Sequence, residues 1–168
     1  MALPKIVTSW DISLDGIGYM GIAESVQLPK IHEVYEEVWG SGMYAKQKVP
    51  VGIEPMEATI KFLEITPFVY NLFGLSADAA GIILKAGLRS DTKETVPLLA
   101  VLHGRVGSIE TDAFEGGKIP RQTITIQVKR YALSIGKHPA IVVDVENNVL
   151  NLMGMSTLTE GIKKALGF

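Results

Sequence analysis

Apolar residues return at every second position over several short stretches of the chain, and that period assigns it to the β class. Ile6, Thr8, Trp10, Ile12 and Leu14 share one face of an extended segment, and Met20, Ile22, Val26 and Leu28 share one face of the next. Asp15-Gly16 lies between them and tolerates the positive φ angles of a type I′ turn, so the two segments predict a hairpin. Met56, Ala58, Ile60 and Phe62 alternate with Glu57, Thr59 and Lys61, which predicts a half-buried strand. Ile82, Leu84, Ala86 and Leu88 do likewise, and a polar turn from Asp91 to Thr95 leads into the run Val96 to Val101, apolar on both faces, as a second hairpin.

Over 121–135 the parity changes. Ile124, Ile126 and Val128 share one parity and Tyr131, Leu133 and Ile135 the other, with Lys129-Arg130 at the changeover. A one-residue phase shift is what a β-bulge or a sharp bend produces. Gly136-Lys137 then turns the chain into Ala140 to Val145, a third hairpin.

Two short segments read as helices. In TPFVYNLFG, Thr66 can cap, Pro67 suits the first helical position, and Gly74 can end the helix in a left-handed conformation. Near the C-terminus, Thr157 and Glu160 form a capping-box pattern, with Leu158, Ile162, Ala165 and Leu166 on one face. Gly161 inside that helix costs about 1 kcal/mol relative to Ala, so docking must help hold it. In 30–39, Ile31, Val34, Tyr35, Val38 and Trp39 fit a helical face better than alternation, so periodicity alone predicts a helix there. Residues 40–50 and 107–120 are left as the long loops. The predicted fold is mainly β: a β-sandwich or barrel of about seven to eight antiparallel strands, with one short helix packed against it and a short C-terminal helix.

Length and composition bound what such a fold can be. The 168 residues suit one domain, 1–168, and 47% hydrophobic against 20% charged residues places the chain with globular proteins. Sixteen basic and 18 acidic side chains, scattered along the chain, leave a net charge of -2 and no electrostatic footprint for gripping nucleic acid or an anionic membrane. No cysteine is present, which excludes disulfides, thiolate nucleophiles and Cys-containing zinc sites. The start, MALPKIVTSWD, has no apolar run of signal-peptide length, and nowhere do about 18 apolar residues run together, so synthesis in the cytoplasm without membrane spanning is expected.

Candidate chemistry is thin. His32, His103 and His138 fall in separate strands or strand ends, without a partner at the close spacing of metal ligands on one element. His103, read as a strand-end histidine beside Gly104 and Arg105, is a candidate proton-transfer residue, against the plainer reading of a side chain meeting solvent. Glu33, Glu36 and Glu37 form the densest acidic patch, either a cation chelate, a charge lining or a solvated face. GSG and EGGK lack the strand, loop and Lys-[ST] order of a phosphate loop, and no GxSxG or SxxK occurs, so no catalytic, cofactor or metal residue is assigned. What stands out is apolar content around the longest loop, in Trp39, Met43, Tyr44, Val49, Val51 and Ile53. Such residues are either core or, if exposed, an interface, and half-buried strands with free edges can join subunits edge to edge into a ring.

Three motifs in order sharpen this. LPKI (Leu28 to Ile31) follows the N-terminal hairpin, then come WGSGM (Trp39 to Met43) and VPVGIEPME (Val49 to Glu57). Their order and spacing resemble the major tail tube proteins of contractile-tailed bacteriophages and of the R-type bacteriocins derived from them. The order of elements matches over nearly the whole chain, including the helix after the fourth strand region and a C-terminal helix closing in ALGF. The resemblance implies a structural subunit, without cofactor, that forms hexameric rings. Rings would stack into a hollow tube lined by a continuous β-barrel, inside a sheath that contracts around it. DNA, or ions in the bacteriocins, would pass through without specific binding. Implied partners are further copies of the chain, the tail sheath protein, a baseplate or tube initiator and a tape measure protein, with no membrane insertion. The place would be the phage virion tail, assembled in the host bacterial cytoplasm.

The resemblance also implies that 30–39 is a strand, against the periodicity. The loop carrying Trp39, Gly40, Gly42, Met43 and Tyr44, together with Val49, would then contact a neighbouring subunit or the next ring. Glu33, Glu36 and Glu37 are candidates for the lumen lining. A near-neutral charge fits a conduit, since each phosphate held by a fixed cation adds to retention. Two alternatives remain at this point: a ring protein of a type VI secretion system, which shares the fold, and a small ligand-binding or hydrolytic β-barrel using His103 or the glutamates.

Overall fold

The computed structural model describes residues 4–19, 21–73, 80–90 and 94–156. Its first strand, β1 (Ile6–Leu14), turns through Asp15 and Gly16 into the two-residue β2 (Ile17–Gly18). Both turn residues have positive φ, 48° and 83°, as the Asp-Gly pair predicts for a type I′ turn. The predicted second strand does not continue along β1, however. Tyr19 N–H donates to the Ile12 carbonyl at 2.8 Å, and its buried ring meets Phe62 with centroids 5.5 Å apart. Burying that ring redirects the chain, so β3 (Ala23–Gln27) pairs with β6 (Met56–Phe62) instead.

Between β3 and β6 lie β4 (Glu33–Val38) and β5 (Gln47–Ile53), which pair only with each other in a separate two-stranded sheet. The helix that periodicity predicts over 30–39 is therefore overturned in favour of the strand implied by the resemblance. A helical apolar face is stable when it has something to bury against, and every residue of β4 is exposed. Its backbone is satisfied across the hairpin instead. The loop predicted over 40–50 is shorter, because Gln47–Pro50 already belong to β5.

The remaining elements are α1 (Pro67–Leu72), β7 (Ala80–Arg89), β8 (Thr95–Thr111), β9 (Gln122–Ile135), β10 (His138–Asp144), β11 (Val149–Leu152) and β12 (Met155–Ser156). The main sheet runs β12-β11-β10-β9-β8-β7-β1-β2, all antiparallel. Strand β9 is its hub. Along one edge, residues 122–128 of β9 pair with β6, while 130–135 pair with β10. Lys129 sits between the two: His103 faces Arg130, but Gly104 faces Val128. The parity change at Lys129-Arg130 is thus a bulge, and it lets one strand serve two neighbours. At Gly104 the strands come so close that a Cβ would lie 2.2 Å from the Gln127 carbonyl oxygen, so only glycine fits.

The core collects the inward parity of each strand: Ile12 and Leu14, then Met56, Ala58, Ile60 and Phe62, then Ile82, Ala100, Leu102 and Val106, and Ile124, Ile126 and Val128. Helix α1 adds Val69 and Leu72. Pro67 opens it as predicted, but Thr66 makes no side-chain cap bond, and its N–H donates to the buried Gln122 Oε1 at 3.0 Å. The helix ends at Phe73 in extended backbone, which bridges to Val106. Gly74 and the predicted C-terminal helix lie outside the described residues. Among the described residues the fold is mainly β, as the alternation implies, with one short helix, and the sheet does not close into a barrel. More strands are present than predicted: twelve among the described residues, since β2, β11 and β12 are too short to show a period and β5 begins inside the predicted loop over 40–50.

Candidate functional site

The β4–β5 hairpin forms an arm whose side chains divide by strand alternation. Glu36 stands opposite Val49, and Val38 opposite Gln47, so Val34, Glu36, Val38 and Val49 share one face. Tyr35 stands opposite Pro50 and Glu37 opposite Lys48, which places Glu33, Tyr35, Glu37 and Lys48 on the other. Val51 is the extra residue at a register shift beside Val34 and Tyr35. The acidic patch is thereby split between two faces, and the two faces differ in character.

On the polar face the carboxylates are satisfied locally. The Tyr35 hydroxyl donates to Glu33 Oε2, and this bond, with the carboxylate's charge behind it, pushes the Tyr35 pKa up. Lys46 Nζ lies 3.1 Å from Glu37 Oε2. On the other face Glu36 has no hydrogen-bond or ion-pair partner among the described residues, and it stands among three exposed valines.

The tip is ordered by its own backbone. Met43 N–H donates to the Gly40 carbonyl at 3.2 Å, closing a turn whose third residue, Gly42, has φ +86°, a conformation that favours glycine. Gly40 N–H donates to Met43 Sδ at 3.1 Å, and Trp39 Nε1–H to the Met43 carbonyl at 3.2 Å. Trp39 is nevertheless 71% exposed and Tyr44 wholly so, while Met43 is half-buried against the turn. The structure therefore brings Trp39, Gly40, Gly42, Met43 and Tyr44 together at one tip, with Val49 further down the arm. The tip presents two exposed aromatics, and the sequence carries no charge from Trp39 to Ala45.

Elsewhere the candidate chemistry disperses. His32 precedes β4, His138 opens β10, and His103 lies within β8, not at a strand end, because β8 runs on to Thr111. The loop predicted over 107–120 shrinks accordingly to 112–121. Among the described residues no three His, Asp or Glu side chains gather as metal ligands would. His103 lines a cavity of about 180 Å³ with Lys129, Arg130, Asp144 and Glu146, but the carboxylates there are committed. Arg130 Nε donates to Asp144 Oδ2 at 2.9 Å, and Lys129 pairs with Glu146. Asn147 donates to Asp144 from both its side chain, at 2.8 Å, and its backbone, at 3.1 Å. The Asn147 side-chain bond chiefly, helped by its backbone bond and by Arg130, holds the Asp144 pKa below the usual carboxylate value against the opposing effect of burial.

Sequence reasoning missed two other surface features. Phe114 and Ile119 are exposed in the turn before β9, and an apolar groove lies at the arm root, between residues 53–56 and the strands β8 and β9. The first had a signal, an apolar residue within a Gly-rich loop. The second had none, because its walls come from segments far apart in sequence.

Comparison with known proteins covers nearly the whole chain. The family model of phage tail tube protein FII matches residues 4–167. The tail tube protein of Escherichia phage P2 is 26% identical over 166 residues, which cover 95% of this chain and 96% of the relative. The major tail tube protein of Serratia phage KSP20 is 24% identical over 170 residues, covering 99% and 98%. Among solved structures, the extended sheath-tube complex of the extracellular contractile injection system PVC matches with TM-score 0.57 and 18% identity, over 78% of this chain and 91% of that one. Its extended sheath/tube terminator matches with TM-score 0.57 and 16% identity, over 79% and 97%. At those identities the structural likeness speaks for the fold.

Proposed function

The chain belongs to the phage tail tube protein FII family, and from that premise we propose that it forms hexameric rings which stack into the hollow tube of a contractile tail. It is a tail tube protein and a component of the virion tail. Its 168 residues act as one tail-tube domain, assembled in the host cytoplasm, with a structural role and no catalytic one. The ring partners are copies of itself. The sheath surrounds the tube, a baseplate or initiator starts it, a tape measure protein sets its length, and DNA passes through without specific binding.

The observation that carries this reading is the arm. An exposed hairpin with an uncovered valine face and an aromatic tip has no use for its own body, and is stabilised by docking on another surface. Trp39, Gly40, Gly42, Met43, Tyr44 and Val49 make the contact between subunits or rings. Glu33 and Glu37, on the polar face, are the lumen-lining candidates; Glu36, on the opposite face, faces the contact instead. Negative-stain microscopy of the purified chain at high concentration tests the reading: rings or long hollow tubes are expected, and a strictly monomeric, particle-free preparation at every concentration counts against it.

A further inference from the structure

The arm's docking face contains one uncompensated charge. Glu36 lies between Val34 and Val38 and directly opposite Val49, without a partner among the described residues, whereas Glu33 and Glu37 each have one. Covering the valines removes water from Glu36 as well, and burying an unpaired carboxylate is strongly unfavourable. A receiving surface that is apolar and brings a cation avoids that cost.

A groove among the described residues offers both. It encloses about 420 Å³ at the arm root, and its apolar walls include Ile53, Pro55, Val128 and Val145, the last half exposed. Arg105, on β8, lines the same groove, and its side chain makes no ion pair or hydrogen bond among the described residues. The other cation there, Lys129, is engaged with Glu146, and one carboxylate, Glu54, also lines the groove without forming an ion pair to Arg105. An apolar face with one free carboxylate and a mostly apolar groove that offers an unpaired guanidinium are complementary at that pair, with Glu54 the one like charge Glu36 must be kept away from. Arginine suits such a place, because its planar fork can hold both oxygens of a carboxylate while losing less hydration than an ammonium.

We infer that the Val34, Glu36, Val38, Val49 face of one copy seats in the arm-root groove of the next, with Glu36 paired to Arg105 of that copy. A chain cannot offer its own arm to the root from which that arm extends. The contact is therefore between copies, and each copy gives one arm and receives one; repeated head to tail around the hexamer of the tube reading, it closes a ring. This rests on the tube reading and adds to it the receiving surface and the ion pair that fixes its register.

Charge reversal tests it. Glu36→Arg or Arg105→Glu alone sets like charges against each other and raises the concentration needed for tube growth about tenfold or more. The double variant Glu36→Arg/Arg105→Glu restores growth to within about threefold of the unaltered chain, because only coupled sites compensate. Circular dichroism keeps all three folds comparable. Because the chain has no cysteine, Glu36→Cys/Arg105→Cys gives an independent measurement: assembled material should run as a disulfide-linked ladder on a non-reducing gel. Tubes of the unaltered chain alongside single reversals that grow normally, a double variant no better than the singles, or cysteine tubes without a ladder overturn the inference and leave the tube reading standing. No tubes from the unaltered chain at any concentration overturns both.

Discussion

Strand β6 and the arm that precedes it are built from similar alternating sequence and end in opposite situations. In β6, Met56, Ala58, Ile60 and Phe62 are buried to the last atom or nearly so, and the strand is hydrogen-bonded on both edges, to β3 and β9. In β4 no residue is buried, and among the described residues its only paired strand is β5. Val34, Val38 and Val49 are apolar at the same period, yet none of them is buried. Alternation reports that one face wants to leave water; it does not report which molecule will cover it. Stability should therefore concentrate in the body, and assembly in the arm.

The sharpest way to break that division is to damage the body. Phe62→Ala removes a fully buried ring that also holds Tyr19, and is expected to cost about 3–5 kcal/mol, lowering Tm by roughly 10 °C. Gly104→Ala should cost at least about 3 kcal/mol, since the new Cβ meets backbone, which cannot rotate away as a side chain can. Thermal unfolding followed by circular dichroism measures both. Values near zero would mean that the bend of β8 against β9 does not depend on close approach.

A smaller effect is expected at Gln122, fully buried where β9 begins. Gln122→Met preserves volume but strands the Thr66 N–H without its acceptor. The loss is offset in part, because Gln122 Nε2 has no hydrogen-bond partner to lose. The net cost should be about 1 kcal/mol, read as a lower urea midpoint at unchanged slope.

Much of the body was legible because its rules are local. The Asp15-Gly16 turn, the alternation of 56–62, the Thr66-Pro67 helix start and the Lys129-Arg130 phase shift each announce themselves within a few residues. The path from Gly18 to β3 was not legible, because Tyr19 is drawn off by Phe62, distant in sequence. His103 reads as a strand end only if β8 stops where its two-faced apolar run stops, but β8 continues through Gly104 and Gly107 with small residues at the bends. At 30–39, exposed Val34, Tyr35 and Val38 satisfy a helical spacing as readily as a strand, because no core of this chain selects between them. For the candidate site, the tip residues are adjacent in sequence and could be named from it. The groove with Arg105 joins β5, β6, β8 and β9 and could not.

Acid should weaken the body mildly through Asp144. Its pKa is held below the unfolded carboxylate value, so its contribution is fully present above about pH 4 and is lost as pH falls through the lower folded value. With Arg130 half exposed, the loss should be about 1 kcal/mol or less. Asp144→Asn should remove that part of the pH dependence, and an unchanged acid profile would show that the Asn147 and Arg130 contacts add nothing to folding.

The smallest effect on the fold is expected where the effect on assembly is large. Met43→Lys removes the thioether that accepts the Gly40 N–H, a bond water can replace, since Gly40 is exposed. The turn keeps its Met43-to-Gly40 backbone bond, and the Trp39 indole keeps its carbonyl acceptor, because neither uses the Met43 side chain. Stability should change by less than about 0.5 kcal/mol. A lysine ammonium placed in a tip that carries no charge must be desolvated wherever that tip is buried, so polymerisation seen by light scattering and negative-stain microscopy should stop. If the circular dichroism melt drops along with polymerisation, Met43 belongs to the folded body after all and the division between the two regions fails at its tip. If neither changes, the tip is not a contact, and the assembling surface lies lower on the arm, around Val38 and Val49.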